Sequence, residues 1–158
     1  MSAFERLHKG PTRAEQKQHQ LDTVVLFSGF VLQSASEHNA FWLPELHRKS
    51  KTLGRMTLGP MTVIESVRRL EASSLVQRTE QPEPAPSCWQ SAETTGPRHL
   101  TIKGIQDVIS AFCDYSVGAD SPVIEAMPPA IVAQFEQQVD AASDLLVKIA
   151  PSRIPVER

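Results

Sequence analysis

The segment from Thr62 to Arg78 constrains the fold more than any other part of the chain. Its apolar residues Val63, Val67 and Leu70 recur at three- and four-residue spacing, which predicts a helix with one apolar face. Near Ser74 the pattern changes directly to that of a strand. The segment is therefore predicted to be an amphipathic helix that stops at a small residue and runs directly into a strand.

A second short segment follows about twenty residues later. Leu100 to Ile102 is predicted to be a return strand, and a helix is predicted from about Lys103 to Ser116. Between the two strands, Gln81 to Pro97 contains four prolines, which predicts a long loop. The order helix, strand, loop, strand, helix is that of a winged helix-turn-helix, a mainly α fold with a small β-wing.

Three more helices complete the predicted architecture. The first is apolar from Leu21 onward, which predicts that it is buried. In the last, apolar residues recur at three- and four-residue spacing from Ile131 to Ile149, a near-heptad seam suited to packing against another helix. The predicted bounds are Arg13 to Glu37, Pro44 to Leu53, and Pro128-Pro129 to a stop at Pro151.

Charge is unevenly distributed along the chain. The net charge of −2 argues against a protein that coats nucleic acid through charge alone. Residues 45–79, however, hold seven basic and three acidic residues, whereas residues 105–150 hold seven acidic residues and one lysine. The first region could face phosphates while the second stays away from them.

Other classes of function find little support in the sequence. No phosphate loop, nucleophile elbow, paired-carboxylate pattern or metal-ligand spacing is present, so we expect neither an enzyme nor a cofactor or metal site. The N-terminal residues lack the apolar core of a signal peptide, and the longest apolar run is too short to span a membrane. The two cysteines do not form a disulfide framework, so the expected location is the cytoplasm.

Over about residues 43–104 the chain resembles the winged-helix bacterial transcription regulators, most closely the MarR type. The motifs that carry the resemblance are Thr62-Val63, Val67-Arg68-Arg69-Leu70-Glu71, Leu75-Val76-Gln77-Arg78 and Leu100-Thr101-Ile102-Lys103-Gly104. The resemblance implies a homodimer, held by helices from both chain ends, that represses or activates promoters. The apolar helices could also enclose a small-molecule effector between the dimer arms and the DNA-binding lobe.

The chain departs from that pattern at three places. The turn before Thr62 is enlarged, and Ser74 stands where the family has glycine, which implies a left-handed backbone there. The predicted wing carries Glu80, Glu83 and Glu93, which phosphates would repel. We therefore expect the helix, rather than the wing, to do most of the reading of DNA.

These observations predict the following organisation. Residues 1–40 form an N-terminal helical segment, 41–117 a winged-helix DNA-binding region with its wing at 79–97, 118–150 a C-terminal dimerisation helix, and 151–158 a flexible tail. The expected DNA contacts are Arg48, Lys49, Lys51, Arg55, Thr62, Glu65, Ser66, Arg68, Arg69, Arg78 and Arg98. The expected dimer contacts are Leu21, Val25, Ile131, Phe135, Val139, Leu146 and Ile149.

The predicted function is sequence-specific regulation of transcription, by a homodimer bound to a pseudo-palindromic site on double-stranded DNA. In the predicted helix Arg69 could pair with guanine and Glu65 could accept a hydrogen bond from cytosine. The alternative is a winged helix used for protein–protein interaction within a larger assembly. Its near-neutral charge and acidic wing favour that alternative.

Overall fold

The computed structural model describes residues 12–79 and 96–153, with the backbone alone for residues 149–153. Within these residues the chain forms six helices and one two-stranded antiparallel sheet. The elements are α1 Arg13–Ala35, α2 Leu43–Gly54, α3 Pro60–Ala72, β1 Val76–Arg78, β2 Arg98–Leu100, α4 Ile102–Ser116, α5 Pro122–Ala126 and α6 Pro129–Arg153. The order from α2 to α4 is that of a winged helix-turn-helix, which confirms the fold class predicted from the sequence.

Helix α1 lies at the centre of the fold and contacts the other five helices and strand β2. It begins where the Thr12 hydroxyl accepts a hydrogen bond from the Glu15 backbone N–H at 3.2 Å. From Val24 to Val31 every residue is buried. Burial on all sides explains why this stretch is apolar except for Ser28, whose hydroxyl donates to the Val24 carbonyl oxygen at 2.7 Å.

Helices α2 and α3 are joined by a turn that the His47 side chain fixes in place. Its Nε2 atom lies 2.6 Å from the Leu58 carbonyl oxygen. Helix α2 ends at Gly54 and is followed by Arg55 in the left-handed region, with φ 51° and ψ 46°. The enlarged turn predicted before Thr62 is therefore an ordered connection that sets the position of α3.

The sheet pairs Val76 with Leu100 and Arg78 with Arg98. Phe41 extends it by one antiparallel bridge to Arg98, with both backbone hydrogen bonds at 2.8 Å. The return strand therefore begins at Arg98 and ends at Leu100, earlier than predicted. The predicted wing falls mainly on residues 80–95, which lie outside the described residues.

The sequence Leu100-Thr101-Ile102-Lys103-Gly104 holds the corner between α3 and β1. The Thr101 hydroxyl donates to the Ser74 carbonyl oxygen at 2.6 Å, and Lys103 Nζ donates to the Ser73 carbonyl oxygen at 3.1 Å. A Cβ atom at Gly104 would lie 2.2 Å from the Leu75 carbonyl oxygen, so only glycine fits. Ser74 has φ 63°, which confirms the left-handed backbone expected there.

Helix α6 packs against α1 and α4 through an aromatic cluster. The Phe135 ring lies 5.0 Å from the Phe27 ring, 5.8 Å from the Phe30 ring and 5.4 Å from the Phe112 ring, measured between centroids. Phe135 is fully buried. The near-heptad seam of α6 is thus used, in this half of the helix, to build the core of the single chain.

Some predicted element bounds were wrong. Helix α1 ends at Ala35 rather than Glu37, because Ser36 adopts an extended backbone. Helix α6 continues through Pro151 to Arg153, although a proline within a helix removes one backbone donor and crowds the preceding turn. Helix α5, with only five residues, was not predicted.

No helix among the described residues combines the length and the apolarity needed to cross a membrane.

Candidate nucleic-acid interface

Helix α3 presents one face to solvent and one to the core. Val63, Val67 and Leu70 are buried, as the spacing predicted. The opposite face consists of Met61, Glu65, Arg68 and Ala72, all exposed and spaced four, three and four residues apart. This outward face of α3 is available to a macromolecular partner.

The predicted outward orientation of Arg69 is wrong. Its Nη2 atom donates to Asp22 Oδ1 at 2.7 Å and its Nε atom to Asp22 Oδ2 at 3.0 Å, which ties α3 to α1. Gln18, with its amide oxygen turned toward Arg69, accepts two further hydrogen bonds at 3.0 and 3.1 Å. The guanidinium therefore directs these hydrogen bonds to side chains of α1 rather than to a DNA base.

Ser66 was also predicted to contact DNA, and its buried position makes that prediction wrong. Its side chain is fully buried, and its hydroxyl donates to Asp22 Oδ1 at 2.6 Å. The Asp22 carboxylate thus accepts hydrogen bonds from both Ser66 and Arg69. Because a helix places residues three apart on the same side, the two side chains of α3 reach the same acceptor on α1.

The hydrogen bond from Arg69 to Asp22 raises the pKa of the guanidinium, and the charges of Asp22 and Glu65 raise it further. Partial burial acts in the opposite direction. Thr62, on the same flank of α3, is half-buried and keeps part of its side chain in solvent.

Helix α2 carries a basic exposed face. Arg48 and Lys51 are exposed and three residues apart, and exposed Arg55 follows at the end of the helix. The buried Leu46 and Leu53 lie on the opposite side. Lys49 occupies the flank and is half-buried. Since α2 contacts α3, this basic face and the outward face of α3 belong to the same lobe.

The two arginines of the hairpin differ in exposure although they are paired in register. Arg78 is exposed at the end of β1. Arg98 is only 1% exposed, and its Nη1 atom donates to the Gly96 carbonyl oxygen at 3.1 Å. Burial lowers the pKa of Arg98, attraction to Glu71 opposes that effect, and the Arg78 charge adds to it. Arg98 is therefore a structural side chain of the sheet, which corrects its predicted DNA contact.

His99 and Asp22 were not singled out from the sequence. The His99 ring lies between Thr79 and Gln77, with Nε2 2.7 Å from Gln77 Nε2 and Nδ1 hydrogen-bonded to the Thr79 hydroxyl. Burial lowers its pKa, which favours the neutral ring. Asp22 could have been noticed in the sequence because it is a single carboxylate just before a long apolar run, where a charged side chain needs a partner.

The predicted dimer contacts fall into two groups. Val25, Ile131, Phe135 and Val139 are buried within the single chain, so these four side chains are not free to meet a second copy. Leu21 and Leu146 are half-buried, and the side chain of Ile149 lies outside the described residues. On α6, Leu145 and Val147 are 58% and 67% exposed.

No cluster of three or more histidine, cysteine, aspartate or glutamate side chains within residues 12–79 and 96–153 could hold a metal ion. Cys113 is an exposed free thiol, whereas Cys88 lies outside the described residues.

Comparison with known proteins gives one loose structural match and no match in sequence. No protein-family model matches the chain, and no curated protein matches it. A solved structure of a MarR family regulator from Neisseria meningitidis is 13% identical, covers 82% of this chain and 80% of its own, and superposes with a TM-score of 0.35. A superposition this loose says nothing about DNA binding or assembly by this chain.

Proposed function

We propose that this chain is a DNA-binding transcription regulator in which α3 is the recognition helix. The single observation that carries the proposal is the lobe formed by α2, α3 and the β1–β2 hairpin, in which α3 has a solvated face and the contacting helix α2 has a basic one. A recognition helix needs an apolar side for the core, polar or cationic groups outward, and phosphate contacts around it. The protein acts by binding and not by catalysis.

Arg68 replaces Arg69 as the side chain proposed to contact guanine. It lies on the outward face, whereas Arg69 is held by Asp22. Glu65, on the same face, can accept from cytosine N4, and exposed Met61 at the start of the helix can contact a thymine methyl group. Thr62, which is half-buried beside this face, can contact a base at the edge of the same site.

Phosphate contacts are assigned to basic residues around α3, all of them exposed except the half-buried Lys49. These are Arg48, Lys49, Lys51, Arg55 and Arg78. Each phosphate that they neutralise releases counterions, so the affinity for DNA should fall as salt is added. The acidic α4 to α6 region would face away from the duplex.

The proposed active species is a homodimer on a pseudo-palindromic site. Two copies of α3 would then enter successive major grooves, with half-sites about one helical turn apart. The contacts proposed for the interface are Leu21, Leu146 and the exposed Leu145 and Val147. Leu145, Leu146 and Val147 lie at the far end of α6 from the aromatic cluster, and Leu21 lies on α1, where it is partly buried against the core.

A second function has one observation in its favour. Met61 is 58% exposed beside Glu65, and an exposed apolar side chain next to an acid also suits a protein partner. In that case the lobe would be an interaction module within a larger assembly. Such a module would show no salt-sensitive affinity for DNA.

The test is an electrophoretic mobility-shift assay with purified protein and the DNA upstream of its own gene. Arg68→Ala should weaken binding by roughly tenfold or more, because a good side-chain contact to a base contributes about 1–3 kcal/mol. Lys148→Ala is the matched control, since it removes one exposed positive charge from α6. Equal affinities for the two variants would rule out α3 as the recognition helix.

A further inference from the structure

Helix α3 is held against α1 by two kinds of contact. Its apolar side, which includes Val63, Val67 and Leu70, is buried in the core. Apolar packing is non-directional, so it restrains the rotation of a helix about its axis less sharply than a hydrogen bond does. Ser66 and Arg69 add directional hydrogen bonds from α3 to α1. The rotation of α3 is therefore specified most sharply by these polar contacts.

Four side chains form the contacts, and we call them the α1–α3 polar cluster: Gln18 and Asp22 on α1, and Ser66 and Arg69 on α3. Asp22 Oδ1 accepts from the Ser66 hydroxyl at 2.6 Å and from Arg69 Nη2 at 2.7 Å, and Asp22 Oδ2 accepts from Arg69 Nε at 3.0 Å. Gln18, one turn before Asp22, accepts two further hydrogen bonds from Arg69. The polar cluster thus joins one turn of α3 to one turn of α1.

The contact between Arg69 and Asp22 is bidentate, with two N–H groups of a planar guanidinium directed at the two oxygens of one carboxylate. Such a pair fixes orientation as well as distance. Ser66 is fully buried, so its hydroxyl cannot exchange Asp22 for water. A lysine at position 69 would supply the charge of the arginine but not its planar fork. The polar cluster therefore depends on the shape of the guanidinium and not only on its charge.

The polar cluster is coupled to the outward face of α3 through the helix backbone. Ser66 directly follows Glu65, Arg69 directly follows Arg68, and both preceding residues are exposed. Neighbouring residues of an α-helix lie about 100° apart around its axis. Fixing Ser66 and Arg69 therefore also fixes the directions in which Glu65 and Arg68 leave the helix.

A small rotation of α3 is enough to disturb the reading of bases. Side chains of an α-helix reach about 5–6 Å from its axis, so a rotation of about 10° moves their outer atoms by about 1 Å. The donor–acceptor distance of a good N–H···O hydrogen bond varies by only about 0.5 Å. Phosphate contacts carry no sequence information. Loss of the polar cluster should therefore reduce discrimination between sequences more than the attraction to DNA as a whole.

We propose that Asp22 is a positioning residue that sets the sequence specificity of α3 without contacting DNA, through its hydrogen bonds to Ser66 and Arg69. This role rests on the proposed function, because it requires α3 to be the recognition helix. Control of the mobility of α3 by Asp22 does not require DNA. The mobility and the specificity are therefore measured in separate experiments.

The first experiment measures hydrogen exchange of backbone amides without DNA. Arg69→Lys keeps the charge at position 69 and removes the planar fork. We expect the amides of α3 to exchange roughly twofold to fivefold faster in this variant, the range expected for a partly exposed ion pair, while the amides of α6 keep their rates. Unchanged exchange in α3 would overturn the positioning role, whatever the protein does with DNA.

The second experiment compares the affinity for a duplex that the wild-type protein enriches from a randomised library with the affinity for a scrambled duplex of the same composition. Arg69→Lys should lower the ratio of the two affinities roughly tenfold, the effect of losing one good base contact. The affinity for the scrambled duplex should change less than about twofold, because the net charge is the same. The ratio is measured well below the thermal midpoint of each variant.

The matched control is Val139→Ala, which destabilises the core from α6. Val139 is buried and lies outside the polar cluster. We expect this variant to lower the thermal midpoint and leave the ratio of affinities unchanged. An equal fall of the ratio in Val139→Ala and Arg69→Lys would show that lost stability alone reduces specificity, and it would overturn the positioning role.

The third experiment assigns the effect to Asp22 through a double-mutant cycle. Asp22→Asn keeps an acceptor for Ser66 and removes the bidentate acceptor for Arg69, so it should also lower the ratio roughly tenfold. Adding Arg69→Lys to Asp22→Asn should lower the ratio by less than about twofold more, because the contact is already lost. Losses that multiply in the double variant would mean that the two residues act independently and would overturn the proposal.

Two further outcomes separate this role from the proposed function. An unchanged ratio in both single variants of a protein that does enrich a motif would overturn the positioning role and leave α3 as the recognition helix. A wild-type protein that enriches no duplex would refute the proposed function, and the specificity role of Asp22 would fall with it.

Discussion

Replacing Asp22 with alanine tests the most specific contact found in the fold. In the native chain, one carboxylate accepts hydrogen bonds from the Ser66 hydroxyl and the Arg69 guanidinium, and it joins α1 to α3 across more than forty residues of sequence. Asp22→Ala removes the acceptor for both donors. We expect a clear loss of stability without a change of fold.

The magnitude follows from the exposure of the two donors. Ser66 is fully buried, and leaving a buried hydroxyl without a partner costs about 1–3 kcal/mol. Arg69 is one-third exposed, so water replaces much of its interaction with Asp22, and that loss should be about 0.5–1 kcal/mol. The sum for Asp22→Ala is about 1.5–4 kcal/mol.

The assay is urea unfolding followed by circular dichroism, with the midpoint and slope compared between variants. Asp22→Asn keeps a side-chain oxygen for Ser66 and removes the charge, so its loss should be smaller, about 1 kcal/mol. Asp140→Ala on α6 is the control, because Asp140 is exposed and should change stability by less than about 0.5 kcal/mol. If Asp22→Ala were no more destabilising than Asp140→Ala, the Asp22 contact would not stabilise the fold.

Three further substitutions test the core and the corner. Phe135→Ala should lower the free energy of unfolding by about 3–5 kcal/mol, because a fully buried ring in contact with three other rings is removed; urea unfolding measures this. Ser74→Gly should raise the thermal midpoint, with a gain of about 0.5–1 kcal/mol, because φ is 63° at this position, and an unchanged or lower midpoint would contradict the expected strain. Gly104→Ala should destabilise the chain, since the new Cβ would lie 2.2 Å from a backbone oxygen, and wild-type stability in thermal unfolding would show that α4 can move away.

The sequence predicted the α3–β1 unit because its signals are local. The apolar spacing within α3, the stop near Ser74 and the short strand after it are all encoded within seventeen neighbouring residues. For Leu100 to Gly104 the predicted change from strand to helix is present, although the strand ends at Leu100 and the helix begins at Ile102. Thr101, Lys103 and Gly104 of this segment hold the α3–β1 corner. Where neighbouring residues determine the structure, the residue pattern and the composition were sufficient to predict the type and order of the elements.

The orientation of Arg69 could not be predicted in the same way. Periodicity predicted that Arg69 lies on the outward face of α3, but its direction depends on Asp22, which lies 47 residues earlier in the chain. The seam of α6 was ambiguous for a related reason, since a near-heptad pattern suits packing within one chain as well as between two. Phe135 illustrates the outcome: its position on the seam was evident, and its partners, Phe27, Phe30 and Phe112, are all in the same chain.

The measurement that tests the central claim most directly is selection of binding sites from a randomised duplex library. The wild-type protein should enrich an inverted repeat with half-site centres about one helical turn apart. Glu65→Gln should change the preferred base at one position in each half-site, because it alters a group on the outward face of α3, whereas Arg48→Ala should weaken binding and keep the same motif. No enriched motif, or a motif that Glu65→Gln leaves unchanged, would contradict DNA reading by this helix.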